Sequence, residues 1–587
     1  MVGADVLERF QLQASERLGR IYRVDQVKTL LDQVVIEVQN FSNPVEEEPV
    51  NRLWSERDLI LISYGDSICV EGQMPIQGLC SFLEHYLPDV ISIVHLLPFF
   101  PYSSDDGFAV IDYQQVNPKL GDWSQIAAIN RNFDLMVDLV INHVSSQHRW
   151  FQEFLHDEEP GKNYFISPPD DVDLTHVVRP RQSPLLTRVE TDRGADKVWT
   201  TFSADQVDTN FSNPDVLLEY IKVLLFYLSQ GARFIRLDAV AFLWKEWGTS
   251  CLNLPQTHEI VKLLRDILTT VAPKTVLLTE TNLPHHQNLS YFGDSDEAHM
   301  VYQFSLAPLL LHGLYRGTSV YLCEWARTRC NAPPGCTFLN FTASHDGIGL
   351  RPIEGLLPQG EIDLLLHGME KFGGMISYKG NGDGSKSPYE INIGYFDALK
   401  GTWLGDDCWQ LARFLLAQTL MIGLRGIPAL YIHSLLATPN YHEGVEKTGR
   451  PRTINRRCWQ QKDLDLLLGD EESNQAKIFY ELRRRLQIRR EQPAFHPDGR
   501  QEVLYLGEYL FGFWRFSPDG KQKIFAVHNL TEQPRNLYVD GALDGQFSGR
   551  WIGLLTGEVV TSERAVINLP PYHVLWLAQQ EEWVSER

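Results

Sequence analysis

The sequence of 587 residues has no uninterrupted run of about 18 apolar residues, the length that a membrane-spanning helix needs. It has only eight cysteines, and no two of them form a CxxC pair. Scattered cysteines in a long chain predict reduced thiols in a cytoplasmic protein rather than a disulfide framework. The N-terminal segment mixes acidic and basic side chains without an apolar stretch, so we expect no secretory signal there.

Positive charge is also scarce, since 53 Lys and Arg residues face 75 Asp and Glu residues and leave a net charge of −22. A surface this acidic repels phosphodiester backbones and anionic lipids, so we expect neither nucleic acid nor membrane as a partner. Hydrophobic residues make up 43% and charged residues 22% of the chain. These ordinary globular values exclude a fully disordered chain, a collagen and a coiled-coil rod.

Eight short apolar or β-branched runs alternate with longer amphipathic segments through the middle of the chain. This pattern is typical of parallel strands that are buried on both faces and connected by helices. Eight such units predict an α/β fold, a closed (β/α)8 TIM barrel. An open doubly wound sheet is the alternative, but the first run lacks the Gly-rich turn of its dinucleotide-binding form. The runs are 58–65, 90–100, 133–143, 232–240, 274–281, 300–304, 337–346 and 426–432.

The remaining segments predict additions to this barrel. Residues 1–50 have helical periodicity, and an inserted domain is expected at residues 144–200, after the third strand. A second long insert is expected at residues 347–407, after the seventh strand, and connections this long usually serve a function. Residues 491–587 have short aromatic and β-branched runs between turn residues, which predict a C-terminal antiparallel β-domain. The barrel itself is then expected in two parts, 51–143 and 201–490.

Polar and charged side chains gather at the ends of the predicted strands. Barrel enzymes carry their active sites at the carboxyl ends of the strands, so we expect these groups to share one pocket. A single Asp at such a place often only satisfies backbone groups. Many such groups in one pocket must be desolvated together, and that cost in stability favours a functional interpretation. The residues are Asp66, His95, Asp138, Asn142, His143, Arg236, Asp238, Glu280, His345 and Asp346.

The mixture of charges indicates the kind of chemistry. A hard metal ion prefers several carboxylates, but here Arg236, His143 and His345 lie between them, which favours a substrate with many hydroxyl groups. Glycosidic bond exchange needs an acid for the leaving oxygen and a carboxylate for the oxocarbenium-like carbon. Asp238 and Glu280, on neighbouring strand ends, are candidates for those roles. Arg236 precedes Asp238 by two residues, so both side chains point into the barrel and the cation favours an ionised carboxylate.

Four motifs carry a family resemblance. DLVINH, FIRLDAV, TETN and ASHD resemble, in this order, the signature regions of glycoside hydrolase family 13, the α-amylase family. The resemblance extends over nearly the whole chain. It implies that Asp238 is the nucleophile, Glu280 the acid/base and Asp346 the transition-state stabiliser. It also implies that the reaction requires no cofactor, and we expect no metal site.

The flanking segments, among them VHLLPFFPYSSDDGF, are similar to the sucrose phosphorylase subfamily. In that subfamily inorganic phosphate is a substrate and opens a glucosyl-enzyme to give α-glucose 1-phosphate. The resemblance implies that Arg181, in the segment VVRPRQSPLLT, binds phosphate, although a solvated loop arginine is the alternative. It further implies that a set of strand-end residues holds the glucosyl unit. That set is Asp66, His95, Arg236, His345 and Arg452.

Several differences from typical sucrose phosphorylase sequences concern the acceptor that the enzyme would use. Phe242 and Asn282 stand where sucrose phosphorylases typically have Tyr and His. The segments TETNLPHHQNLSYFG and GGMISYKGNGDGSKSPYEIN look more like glucosylglycerate phosphorylases, which split 2-O-α-glucosylglycerate. Their acceptor is an anion, and Arg351, Lys379 and Lys386 lie in the insert that is expected to meet it. Simple solvation of these three cations at the surface is the alternative.

Taken together, these features predict a cytoplasmic retaining α-glucoside phosphorylase that acts on a small-molecule glucoside and phosphate. Glucosylglycerate is the leading substrate and sucrose the alternative. An intracellular α-glucosidase or transglucosidase is a third possibility, and an inactive sugar-binding relative a fourth, although all three catalytic carboxylates are present. We also expect that the chain could form a homodimer.

Overall fold

The computed structural model describes residues 3–42, 53–380, 385–538, 549–561 and 566–579. At its centre eight parallel strands close into a barrel, which confirms the predicted fold class. Each strand pairs with the next along the chain, and the eighth pairs with the first. The strands are β1 (Ile60–Ser63), β2 (Ile93–Leu96), β3 (Asp134–Val140), β4 (Ala232–Asp238), β5 (Val276–Thr279), β6 (Met300–Tyr302), β7 (Thr337–Asn340) and β8 (Ile427–Tyr431).

The barrel strands are buried because both of their faces are covered. Every residue of β1, β2, β5, β7 and β8 is buried, as expected for near-continuous apolar runs between a packed interior and a ring of helices. The helix Pro214–Ser229 shows how local signals start this ring, since the Asn213 side chain accepts from Asp215 N and a proline opens the first turn. The helices that follow the eight strands are Pro75–Tyr86, Trp123–Asn130, Pro214–Ser229, Pro255–Val271, His285–Leu289, Leu306–Arg316, Gln410–Gly423 and Asn474–Arg490.

Two helices, Ala4–Ile21 and Val24–Asn40, pack on the outside of the barrel. The first buries residues at three- and four-residue spacing and pairs with the helix Pro255–Val271 through Arg17, whose Nε lies 3.3 Å from Asp266 Oδ2. The second helix buries Leu30, Val34 and Val38, which lie on one face at four-residue spacing. None of the helices described is both long and apolar enough to cross a bilayer. The eight cysteines are all unpaired.

Two long inserts rise from the carboxyl ends of β3 and β7. The first carries the helix Arg149–Leu155 and a hairpin, Leu186–Thr191 with Gly194–Trp199. The second carries the helix Gln359–Lys371 and an antiparallel pair, Met375–Gly380 with Lys386–Asn392. The inserts meet where the Gln182 side chain donates to Tyr378 O at 2.8 Å, so they enclose one side of the barrel mouth together.

The C-terminal part is an antiparallel β-domain, as predicted, with its own aromatic cluster around Trp514, Phe525 and Trp551. Its six-stranded sheet has the order Gln501–Tyr505, Leu510–Phe516, Lys523–Asn529, Val574–Gln579, Arg550–Gly553 and Val559–Thr561, and Arg535–Tyr538 pairs with Val566–Leu569. Among the described residues, the remaining α-helices of more than four residues are Val320–Arg329, His442–Thr448 and Gln461–Gly469. Short antiparallel pairs join His143–Ser145 to Gln206–Asp208 and Gly401–Thr402 to Gly405–Asp406.

A buried arginine ties this β-domain to the barrel. Arg515 is fully buried and donates from Nη1 to Gly423 O at 3.0 Å and from Nη2 to His496 O at 2.7 Å. Gly423 ends the helix Gln410–Gly423, so the guanidinium satisfies a carbonyl that the helix leaves free. Burial lowers the pKa of Arg515 well below its ordinary value, and the neighbouring Arg489 and Arg425 add to that effect.

We expect the Arg515→Ala variant to lose about 2–4 kcal/mol of unfolding free energy, because the Gly423 carbonyl loses its side-chain donor, the His496 carbonyl loses one of its two donors, and a cavity opens. Urea unfolding followed by tryptophan fluorescence measures the loss. Arg500→Ala, at an exposed pair with Glu502 in the same domain, is the matched control and should change stability by less than about 1 kcal/mol. Equal effects of the two substitutions would contradict this account of the interface.

Candidate active site

The carboxyl ends of the strands and both inserts line one cavity. Asp238 ends β4, Glu280 directly follows β5, and Asp346 lies six residues after β7, which ends at Asn340 and not at 346 as expected. The insert after β3 contributes Arg181. The insert after β7 contributes Tyr389 and Glu390. His143, His345 and Arg452 also line the cavity, whereas His95, Asp138 and Arg236 lie beneath it. The barrel geometry therefore brings most of the predicted strand-end residues to one place.

A buried cation lies at the base of the cavity. Arg236 is 1% exposed, and its Nη1 donates to Asp238 Oδ1 at 2.7 Å and also contacts Asp138 Oδ1. The register of β3 and β4 places Asp138 beside Arg236, and His95 Nε2 lies 2.8 Å from Asp138 Oδ2. Burial opposes ionisation of Asp138, but Arg236 and then His95 outweigh it and lower the pKa of Asp138 to about 2.

Glu280 has no such contact with a cation among the described residues. Its Oε2 accepts the backbone N–H of Ala239 at 3.1 Å, and Ala239 adopts the left-handed conformation with φ at 52°. Burial raises the pKa of Glu280, and Asp346 adds to that effect. Burial raises the pKa of Asp238 more strongly, and Glu280 adds to that effect. The pair therefore retains a proton to higher pH than isolated carboxyls. That proton belongs on Glu280, because Asp238 is the one in contact with the Arg236 guanidinium.

Asp346 lies beside two arginines and a histidine, and burial lowers the pKa of that histidine, His345, to about 3. Arg452 Nη1 contacts its Oδ1, His345 Nε2 lies 3.6 Å from its Oδ2, and Arg456 Nη2 lies 3.9 Å from its Oδ1. Burial opposes ionisation, but these groups, with Arg452 the largest contributor, lower the pKa of Asp346 well below its ordinary value. Asp346 is therefore a stable anion, in contrast to Glu280.

Arg452 is held by a second carboxylate that the sequence analysis did not single out. Glu390 is 1% exposed and accepts from Arg452 Nε at 3.1 Å through Oε2 and from Nη2 through Oε1. It lies on the strand Lys386–Asn392 of the second insert. A forked pair of this kind fixes both side chains, so the insert positions Arg452 against Asp346. An acidic residue in an otherwise apolar stretch, YEIN, is the signal that was available in the sequence.

Two further residues of the site were also missed. Asp105 lines the cavity and accepts from Gln206 Nε2 at 3.1 Å, and burial opposes its ionisation while Arg181, Arg452 and Arg456 lower its pKa. Arg456 donates from Nε to His345 O at 2.8 Å and contacts Asp106. Asp105 lies in the segment VHLLPFFPYSSDDGF and Arg456 lies four residues after Arg452, but neither pattern indicated which charged residue points inward.

Some predicted residues lie away from the cavity lining. Asp66 follows β1 and lies within hydrogen-bonding reach of the Cys458 thiol, and burial raises the pKa of Asp66. Arg351 lies near Lys379, whose pKa is lowered by burial and then by the Arg351 guanidinium. Lys386 is exposed at the start of its strand. Binding roles for Asp66 and Arg351 stay predictions.

The side walls are aromatic and hydrogen-bonded. Phe108 stacks on His345 with ring centroids 5.0 Å apart, and His143 Nε2 lies 3.0 Å from Phe108 O. Asn142 Nδ2 donates to Asp208 Oδ2 at 3.0 Å behind this wall. Within the described ranges, no three His, Cys, Asp or Glu side chains are arranged to hold a metal ion.

The chain is similar to one protein family and to several characterised proteins. Residues 71–316 match the family described as alpha amylase, catalytic domain. A glucosylglycerate phosphorylase from Spirochaeta thermophila is 44% identical over 91% of this chain and 92% of its own length, and one from Escherichia coli is 39% identical over 96% and 99%. A sucrose phosphorylase from Streptococcus mutans is 28% identical over 81% of this chain and 95% of its own length.

Among solved structures, a sucrose 6F-phosphate phosphorylase from Thermoanaerobacter thermosaccharolyticum superposes with a TM-score of 0.70 at 26% identity. The superposition covers 81% of this chain and 94% of the chain in that structure. The similarity therefore extends well beyond the barrel core.

We expect Asp138→Asn to lower the unfolding free energy by about 3–5 kcal/mol, because it leaves the buried Arg236 with one carboxylate fewer. The pKa of Asp138 lies below its ordinary 3.8, so its contribution is complete above pH 3.8 and is lost as the pH falls through about 2. Chemical denaturation at several pH values measures both effects.

Asp134→Asn provides the control on the same strand, since Asp134 forms a half-exposed pair with Arg233. This substitution should cost less than about 1 kcal/mol. If both variants lost the same small amount, the buried network would not contribute stability as described.

Proposed function

Because this chain belongs to the α-amylase family, we propose that it is a retaining α-glucoside phosphorylase that converts 2-O-α-glucosylglycerate and phosphate into α-glucose 1-phosphate and D-glycerate. The observation that carries this conclusion is the 44% identity to a glucosylglycerate phosphorylase over 91% of the chain. Sucrose phosphorylases are more distant, at 28% identity, so sucrose is the less favoured substrate.

The first displacement forms a glucosyl-enzyme. Asp238, ionised beside Arg236, attacks the anomeric carbon, and the bond from that carbon to the glycerate oxygen breaks. Glu280 gives its proton to the departing oxygen. The raised pKa of Glu280, caused by burial, suits a group that must hold a proton until this step.

The second displacement releases the product. Glu280, now a carboxylate, takes a proton from phosphate while a phosphate oxygen attacks the anomeric carbon and displaces Asp238. Two inversions at one carbon retain the α configuration. Asp346, kept ionised chiefly by Arg452, stabilises the positive charge that develops at the sugar in both transition states.

Binding roles follow from position. His345 and Arg452 line the cavity beside Asp346 and are proposed to contact glucose hydroxyl groups, with Arg181 as the phosphate ligand. His95 and Arg236 lie beneath the cavity and are proposed to act by orienting the carboxylates they touch.

The reaction as proposed needs no cofactor, because phosphate is a substrate and every proton transfer uses Glu280. We propose a cytoplasmic enzyme on the basis of its eight free thiols, with no nucleic-acid or membrane partner on the basis of its net charge of −22. Formation of a homodimer stays a prediction.

The proposed function is tested by incubating the protein with phosphate and a panel of glucosides. The assay detects glucose 1-phosphate from glucosylglycerate, glucosylglycerol, sucrose and maltose in parallel, and free glucose in samples without phosphate. We expect glucose 1-phosphate chiefly from glucosylglycerate. If sucrose were the preferred substrate, the protein would be a sucrose phosphorylase. If free glucose were the main product, the protein would be a hydrolase.

The Glu280→Gln variant separates the acid role from the rest of the site. With glucosylglycerate we expect formation of the glucosyl-enzyme to slow by about 10²–10⁴-fold. With α-glucosyl fluoride the first displacement should remain close to the wild-type rate, because fluoride leaves without a proton. A rapid-mixing measurement of the fluoride burst checks this expectation.

Asp238→Asn is the matched variant for that experiment. It removes the nucleophile, so neither donor should give a burst, while circular dichroism should match that of the wild type. A fluoride burst from Asp238→Asn, or equal loss of both donors in Glu280→Gln, would contradict the assigned roles.

A further inference from the structure

The two arginines that line the cavity differ in how their charges are compensated. Arg452 contacts Glu390 and Asp346, so two carboxylates already neutralise it. Arg181 makes no ion pair or hydrogen bond through its side chain with any other described residue, although it lines the same cavity. Arg181 is therefore the cavity arginine that has its donors available for a ligand.

The loop around Arg181 is anchored on several sides. Val178 N donates to Ser250 O at 3.0 Å, the Gln182 side chain donates to Tyr378 O at 2.8 Å, and Ser183 Oγ donates to Phe202 O at 2.8 Å. Contacts to both inserts and to the segment after β4 hold the backbone on either side of Arg181. The guanidinium is thus presented to the cavity by a constrained loop.

Apart from Arg452, the other charged side chains of the lining are carboxylates, which repel anions. Asp105, Asp238, Asp346 and Glu390 are carboxylates on the cavity wall, and Glu280 becomes one in the glucosyl-enzyme. The proposed reaction brings in two anions, glycerate and phosphate. Both must reach the same place, because each exchanges a bond with one anomeric carbon and a proton with Glu280. A guanidinium offers two parallel donors that fit either a carboxylate or a phosphate.

We propose that Arg181 determines acceptor specificity by binding the carboxylate of glycerate in one displacement and phosphate in the other. This inference rests on the proposed function, and it extends the phosphate role of Arg181 to the organic acceptor. A single anion subsite used in turn explains why an anionic acceptor suits this cavity better than a neutral one.

The test must separate the two anions, so the donor is α-glucosyl fluoride in a buffer without phosphate. Asp238 attacks the anomeric carbon and fluoride leaves, which gives the Asp238 ester, and Glu280 releases its proton to solvent. The acceptor hydroxyl then attacks the anomeric carbon and displaces Asp238 while Glu280 takes the hydroxyl proton. D-glycerate and glycerol are offered as acceptors in parallel, and hydrolysis to glucose reports the amount of working enzyme. Phosphorolysis is measured separately for the apparent KM of phosphate.

For Arg181→Ala we expect kcat/KM for D-glycerate to fall by about tenfold to a hundredfold, with glycerol transfer and hydrolysis little changed. The apparent KM for phosphate should rise by a similar factor. Arg181→Lys should recover part of both losses, because it restores the charge without the fork. Arg188→Ala, an exposed arginine of the same insert, controls for loss of net charge and should leave both acceptors unaffected.

Three results would overturn the proposal. The first is a loss for phosphate with unchanged use of glycerate in Arg181→Ala. The second is a loss of glycerate specificity in Arg351→Ala but not in Arg181→Ala, which would place the carboxylate at the second insert. The third is equal loss for glycerate and glycerol. Failure of the proposed function is distinct, since the wild-type enzyme would then show no preference for D-glycerate over glycerol.

Discussion

The pairing of Arg236 with two carboxylates, Asp138 and Asp238, is the interaction on which the site depends. Two buried carboxylates on neighbouring strands would repel each other and raise each other's pKa without a cation between them. One guanidinium, itself supported by the register of β3 and β4, allows both to lie inside the barrel. His95 then completes the compensation of Asp138 from the next strand. The barrel mouth can hold its reactive carboxylates because this cation is fixed beneath them.

The same principle, applied to the whole cavity, shows which charges the protein compensates by itself. Arg452 compensates Asp346 and Glu390, so those charges are satisfied within the protein. Asp105, Glu280 and Arg181 are the carboxyl and guanidinium groups of the cavity that form no ion pair with a described residue, and although burial opposes ionisation of Asp105, the Arg181 guanidinium lowers its pKa. An uncompensated buried carboxyl holds a proton, and an uncompensated arginine binds an anion. This uneven compensation supports the proposed proton transfer at Glu280 and the proposed anion binding at Arg181.

The barrel strands and the two inserts contribute different residues to the cavity. Asp238 ends β4 and Glu280 directly follows β5, so both are held by a framework that is buried on both faces. The inserts after β3 and β7 supply Arg181 and Glu390 to the cavity lining. A rigid sheet suits the reacting groups, because their separation must stay constant. Longer connections suit recognition, because their sequences change without disturbing the barrel.

The sequence by itself determined the eight strands, the closed barrel and the positions of the carboxylates at strand ends. These features follow from local periodicity and from the rule that parallel strands present their carboxyl ends on one side. Only the tertiary structure decided that Glu390 pairs with Arg452, that Arg456 and Asp105 point inward, and that Arg351 lies away from the cavity lining. Those outcomes depend on contacts between segments far apart in the chain, such as Asp106 with Arg456, and on how loops turn at their ends. Local sequence patterns carry no information about long-range contacts or loop conformation. A charged residue in a loop could therefore be identified as a candidate, but the direction of its side chain could not be predicted.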